Sequence, residues 1–167
     1  MIVVSNTSPI TNLAAVGKLL ILQQLYSSIV IPGAVFRELT EVEYPVPGTE
    51  EVQTCDWIIT QQVANPALVT SLKQELDAGE AEAIALALEL KADLLLLDER
   101  RGYQAASSLG LKVQGLLGVL LAAKSRGWIP TVKPVMDDLI GRAGFWVSQA
   151  LYSRILELAG ESSADLT

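Results

Sequence analysis

The chain has no histidine, and its single cysteine is Cys55. Those two shortages exclude whole classes of chemistry. A Ser-His-Asp triad, a Cys-His pair and a zinc site built on imidazole or several thiolates are all out of reach. A lone cysteine forms no internal disulfide, which fits a reducing cytoplasm. Any bound metal must therefore be held by oxygen, which points to a hard cation such as Mg²⁺ or Mn²⁺.

Positive charge is also short. Twelve Lys and Arg face 19 Asp and Glu, for a net charge of −7. A protein that binds nucleic acid by neutralising phosphates is usually basic, so the sign argues against strong binding by the free chain. A metal offsetting a carboxylate cluster, or a basic partner protein, would reconcile the two. No apolar run is long enough for a membrane span. The apolar start at residues 1–4 has no basic lead-in and soon meets Ser5, Asn6 and Pro9, unlike a signal peptide. The expectation is a cytoplasmic protein with no membrane partner. No G-x-G-x-x-G follows the first apolar segment, and no P-loop occurs.

What is present is a large apolar complement. Half of the 167 residues are hydrophobic, enough for a single domain with a substantial core. We expect that domain to span residues 1–160, with 161–167 as a frayed tail. Strands are predicted at residues 2–5, 29–31, 57–63, 93–98 and 112–113. The run of four leucines at 94–97 reads as a central strand covered on both faces. Helices are predicted at 9–16, 19–25, 32–40, 68–75, 77–90, 100–109, 116–126, 134–140 and 147–159. Ser8 serves as the first N-cap and Pro9 as the first helical residue. The segment 41–51, with Pro45, Pro47 and Gly48, reads as a loop. Helix 77–90 is apolar on nearly every side and should be buried. Strands alternating with helices imply an α/β fold, a three-layer α/β/α sandwich on a mostly parallel sheet.

In such a sheet, ligands bind beyond the carboxyl ends of the strands. Asn6 follows the first strand and Asp98 follows the leucine strand. Glu38 lies in the helix after the second strand, and Glu80 opens the buried helix with Glu82 close behind. Taken singly, each has a plain structural reading. Asp77 and Glu80 have capping-box spacing, Glu38 can be a solvated helix residue, and Asn6 and Asp98 can be turn formers. Arg100 and Arg101 can be a solvated first helical turn.

Together these segments resemble PIN domains. Val3-Val4-Ser5-Asn6-Thr7-Ser8-Pro9 is similar to the family's first strand and the turn after it. Ile31-Pro32 with Arg37-Glu38 is similar to its second motif. Gly79-Glu80-Ala81-Glu82-Ala83, and then Leu94-Leu95-Leu96-Leu97-Asp98-Glu99, resemble the third and fourth. The interval between Glu80 and Asp98 resembles that of many bacterial PIN toxins, which favours Glu80 over Glu82. Residues 115–127 and 134–148 resemble the C-terminal part of a prokaryotic PIN subgroup.

The resemblance implies a metal-dependent nuclease that hydrolyses single-stranded RNA with Mg²⁺ or Mn²⁺. Asp98 and Glu38 would be the principal metal ligands. Glu80 would be a direct or water-mediated ligand, and Asn6 would orient a metal-bound water. Thr7, Ser8, Glu82 and Glu99 are additional candidates, and Arg100 and Arg101 are candidate RNA contacts. Similarity to VapC toxins further implies a homodimer and a cognate antitoxin protein. Phe145, Trp146 and Tyr152 are candidates for such a surface, or for ordinary core packing.

The chain departs from the family pattern twice. Asn6 stands where the family places Asp, and Leu116 stands where relatives often carry a hydroxyl residue. Both substitutions favour an alternative, a catalytically weakened PIN fold that binds RNA or a partner without cutting. An aspartyl-nucleophile phosphatase would need an Asp at position 6. A receiver domain would need an acidic pair there. Neither is present.

Overall fold

The structure, a computed structural model, describes residues 1–162. Within them, five strands form one parallel sheet in the order β3-β2-β1-β4-β5. They are β1 (Val3–Ser5), β2 (Ile29–Pro32), β3 (Ile58–Gln61), β4 (Leu94–Leu96) and β5 (Val113–Gln114). Among the described residues, ten helices connect and cover them: α1 (Thr7–Ala15), α2 (Leu20–Tyr26), α3 (Gly33–Thr40), α4 (Thr49–Thr54), α5 (Pro66–Leu72), α6 (Ala78–Leu90), α7 (Arg100–Ser108), α8 (Leu116–Ser125), α9 (Lys133–Gly141) and α10 (Gln149–Leu158). The expected three-layer α/β/α architecture is present, and every strand pair is parallel.

Side-chain alternation along the strands feeds two cores. Val3, Ile29, Ile31, Leu94 and Leu96 face one, shared with α1, α2, α8 and α9. Val4, Leu95 and Leu97 face the other, shared with α6 and α7. The leucine run is buried on both faces, as a central strand requires. Helix α6 is buried along most of its length because it lies between the sheet and other helices, among them α3 and α5.

The chain runs outward from β1 through β2 to β3, then returns to lay β4 on the other side of β1. The switch point therefore falls between β1 and β4, where a parallel sheet leaves a crevice for ligands. Ser5 pairs with Leu96, so Asn6 and Asp98 emerge at the same edge from adjacent strands.

Three local expectations change. The first helix begins at Thr7 with Asn6 as its N-cap, not Ser8. Pro9 still falls in the first turn, where its missing N–H breaks no intrahelical bond. Residues 49–54 form a short helix inside and beyond the expected loop, with Gly48 at φ +103 opening it. The expected tail starts at Glu161, yet Glu161 is buried. It accepts from Lys124 Nζ at 2.9 Å, Val132 N at 2.8 Å and Lys133 N at 3.0 Å. The rest of that expected tail, 163–167, lies outside the described residues.

Candidate active site

Asn6 occupies an N-cap position without capping. An Asn here normally accepts from the N–H two or three residues on. This side chain makes no such bond, and its Oδ1 is buried with no partner. The backbone is held, since Asn6 N donates to Leu96 O at 2.9 Å. A buried acceptor left unpaired costs about 1–3 kcal/mol, so this oxygen is an oddity with a cost attached.

Asp98 divides its two oxygens. Oδ1 accepts from Leu116 N at 2.8 Å, capping α8 across space because Gly115, the N-cap of α8, has no side chain to offer. Oδ2 is buried and unpaired. Burial raises the Asp98 pKa to about 6, with the Leu116 N–H opposing and the Glu99 charge assisting. A Cβ at Gly115 would stand 3.0 Å from Oδ1. The side chain of Leu116 lies in the core, and only its N–H serves the site.

Glu80 is divided in the same way. It forms a capping box with Asp77: Glu80 N donates to Asp77 Oδ1 at 2.8 Å, and Asp77 N donates to Glu80 Oε1 at 3.5 Å. Glu80 Oε2 is buried and unpaired. Burial raises the Glu80 pKa to about 7. The hydrogen bond and charge of Asp77 and the charge of Glu99 push the same way, against the backbone N–H of the box. Capping thus uses one oxygen and leaves the other free.

Glu38 is exposed on α3 and accepts from the Thr7 hydroxyl. Its carboxylate lies over the first turn of α6, where a Cβ at Gly79 would be 2.6 Å from Oε1. These contacts bring the starts of α1 and α6, helix α3 and the end of β4 to one edge of the sheet.

Glu82 is turned elsewhere. It accepts from Ala34 N at 3.0 Å and pairs with Arg37 at 3.3 Å, so it caps α3. Glu99 is exposed beside Asp98, and Ser8 Oγ accepts from Asn12 Nδ2 at 3.0 Å. A groove of about 710 Å³ opens from Asp98 and is lined also by Ser8, Asn12, Arg100, Phe145 and Trp146. Arg101 lines a different groove with Gln74, Glu75 and Gln104.

Among the described residues, no three acidic side chains stand close enough to form a ready-made metal cage. What the edge offers is sparser: three buried oxygens without partners, on Asn6, Glu80 and Asp98. That set suits a hard cation that keeps several of its waters.

A family model described as a PIN domain matches residues 2–161. The chain is a PIN domain. Comparison with curated proteins and with solved structures gives no significant match. PIN domains are generally nucleases and usually use divalent metals. Among the described residues, no helix of this PIN domain is long and apolar enough to cross a membrane.

Two contributors to the site escaped sequence reasoning. Gly102 leaves room for the Glu80 carboxylate, and Asn12 braces Ser8. The Ser8–Asn12 pair has helical i,i+4 spacing, a readable pattern. The Gly102 clearance depends on how α7 packs over α6, which no local pattern carries.

Proposed function

We propose that this PIN domain is a metal-dependent ribonuclease that hydrolyses single-stranded RNA at the carboxyl edge of its sheet. The observation that carries the reading is the trio of buried, unpartnered oxygens on Asn6, Glu80 and Asp98, contributed by three separate segments. Asp98 Oδ2, Glu80 Oε2 and Asn6 Oδ1 would hold the ion, with Glu38 completing its surroundings through water. A bound Mg²⁺ or Mn²⁺ would supply an acidified water and offset the charge of the phosphoryl oxygens.

The side chains divide the remaining work. The Leu116 N–H fixes Asp98, and the Asp77 N–H fixes Glu80, so each free oxygen is pre-aimed. Thr7 orients Glu38. Asn6 is an amide and cannot accept the attacking water's proton. Glu38, exposed and reaching the ion only through water, is the carboxylate left to accept it. Arg100, exposed on the groove, would contact a substrate phosphate.

Within this reading the chain acts in the cytoplasm as the toxin of a toxin–antitoxin pair, resembling VapC, with a cognate antitoxin and a homodimeric state. The net charge of −7 fits a toxin that meets a basic partner.

Asn6 supports a second reading, a weakened domain that binds RNA without turnover. One assay separates the two. Single-stranded RNA is incubated with Mn²⁺ or Mg²⁺, with EDTA as control, alongside Asp98→Asn and Asn6→Asp. Metal-dependent cleavage that disappears in Asp98→Asn is the expected result. Cleavage by Asn6→Asp alone would identify a weakened site, and inert proteins throughout would sink the nuclease reading.

A further inference from the structure

Trp146 is 82% exposed, the most exposed large apolar side chain among the described residues. Yet its backbone is tied down on both sides. Phe145 N donates to Leu139 O at 2.9 Å, and Phe145 packs on the core. On the other side, Ser148 caps α10 by accepting from Leu151 N at 3.1 Å. Gly144, at φ +71, makes the turn that follows α9, after which Phe145 turns to the core and Trp146 to solvent. A flat apolar ring is thus presented to solvent on a fixed support, against the usual tendency to bury it.

Its position gives that exposure a meaning. Trp146 lines the same groove as Asp98, Arg100 and Gly115. The groove's lining therefore combines aromatic and apolar side chains with a carboxylate and an unpaired guanidinium. Among the described residues, Arg100 makes no salt bridge. A purely apolar helix would leave Asp98 Oδ2 and the Arg100 guanidinium buried without partners. A ligand that alternates flat rings with anionic links meets both the indole and the guanidinium, and leaves Asp98 Oδ2 to the cation proposed above.

We propose that Trp146 is a stacking platform for an unpaired base of single-stranded RNA, set beside the carboxylate edge so that the adjoining phosphate reaches Arg100. The proposal rests on the ribonuclease reading and adds the feature that selects unpaired strands. A base inside a duplex has both faces already stacked and cannot offer one to an indole. Stacking is indifferent to base identity, so the platform grips single strands without choosing a sequence. It also supplies binding that does not depend on net positive charge, which this chain lacks.

The test uses a labelled single-stranded oligoribonucleotide, with anisotropy read in Ca²⁺ and cleavage read in Mn²⁺. The proteins are wild type, Trp146→Ala, Trp146→Phe and Trp128→Ala, the last removing another exposed tryptophan. Trp146→Ala should weaken binding roughly 5- to 100-fold, from the usual worth of one stacked base. The loss should appear mainly in KM, with kcat less affected. Trp146→Phe should restore most of it, and Trp128→Ala should match wild type. An oligonucleotide of abasic sites should bind wild type as weakly as ordinary RNA binds Trp146→Ala.

Unchanged binding and KM in Trp146→Ala would overturn the proposal while leaving the nuclease intact. A shift of Trp146→Ala from dimer to monomer with RNA binding unchanged would overturn it in favour of a protein interface. Binding that depends on Trp146 without any metal-dependent cleavage would support the platform and sink the nuclease reading. Absence of both binding and cleavage in wild type would sink both.

Discussion

Glu80 Oε2 lies directly against Gly102: a methyl group on that glycine would stand 2.6 Å from the carboxylate oxygen and 2.9 Å from a methyl of Leu97. Gly102 has an ordinary helical backbone, so Ala would gain about 1 kcal/mol in helix propensity. The clash should outweigh that gain, because Leu97 is fully buried and cannot retreat. Gly102→Ala is expected to cost about 1–3 kcal/mol by overpacking. It should also displace Glu80. Thermal unfolding measures the first effect and metal-dependent cleavage the second. An alanine variant as stable and active as wild type would show that Glu80 has freedom to move.

Gly79→Ala should separate stability from function. Its added methyl would meet Glu38 Oε1 at 2.6 Å and Oε2 at 2.9 Å, the far end of an exposed, flexible side chain. Glu38 can swing away at little cost, and the helix gains from Ala, so Tm should stay within a few degrees of wild type. The swing breaks the bond from Thr7 and misplaces a carboxylate. Misplacement of about 1 Å costs on the order of 10²-fold in rate, so cleavage should fall about 10- to 100-fold. Matched melting curves with unequal rates would confirm it; equal rates would remove Glu38 from the working site.

Much of this geometry was legible in the sequence, and the exceptions share a cause. The leucine strand, the buried helix α6 and the alternation of strands and helices follow from hydrophobic periodicity alone. Asp77 and Glu80 announce their capping box by spacing. Position 6 was legible as a strand end but not as the N-cap, because Ser8-Pro9 offers an equally good local start. Helix α4 was hidden by Pro45, Pro47 and Gly48. These residues break structure before residue 49, but they do not determine the conformation of residues 49–54. Glu161 looked like a solvated tail residue because its partners, Lys124, Val132 and Lys133, are distant in sequence. The division of Glu80 and Asp98 into one bonded and one free oxygen also arises between segments, so no local pattern could show it.

Metal-free stability should fall as pH rises. Folding raises Glu80 from an ordinary 4.5 to about 7 and Asp98 from 3.8 to about 6. Between about pH 4 and 7 the native state therefore holds protons that the unfolded chain has released, and stability declines with pH across that window. These two groups contribute most favourably below about pH 4, and their contribution is lost as pH passes about 6 to 7. Glu80→Gln should flatten part of the decline and raise Tm at pH 8 in EDTA. Mn²⁺ should raise the wild-type Tm more at pH 8 than at pH 5, where protons occupy the same oxygens. A wild-type Tm in EDTA that is no more pH-dependent than that of Glu80→Gln would remove Glu80 as the cause.

Asn6→Asp puts stability and metal binding in opposition. The substitution keeps the shape of the side chain but replaces a buried, unpartnered amide oxygen with a carboxylate near Asp98. Without metal, the added buried charge should cost about 1–3 kcal/mol at pH 8, or take up a proton instead. With Mn²⁺ present, the same charge becomes a ligand and the cost should reverse. The expected result is a lower Tm than wild type in EDTA and a larger gain on adding Mn²⁺. Calorimetric titration should show tighter Mn²⁺ binding by about tenfold or more, equivalent to about 1.4 kcal/mol. A variant destabilised in EDTA whose Mn²⁺ affinity is unchanged would place position 6 outside the metal's reach. Its buried oxygen would then need another explanation.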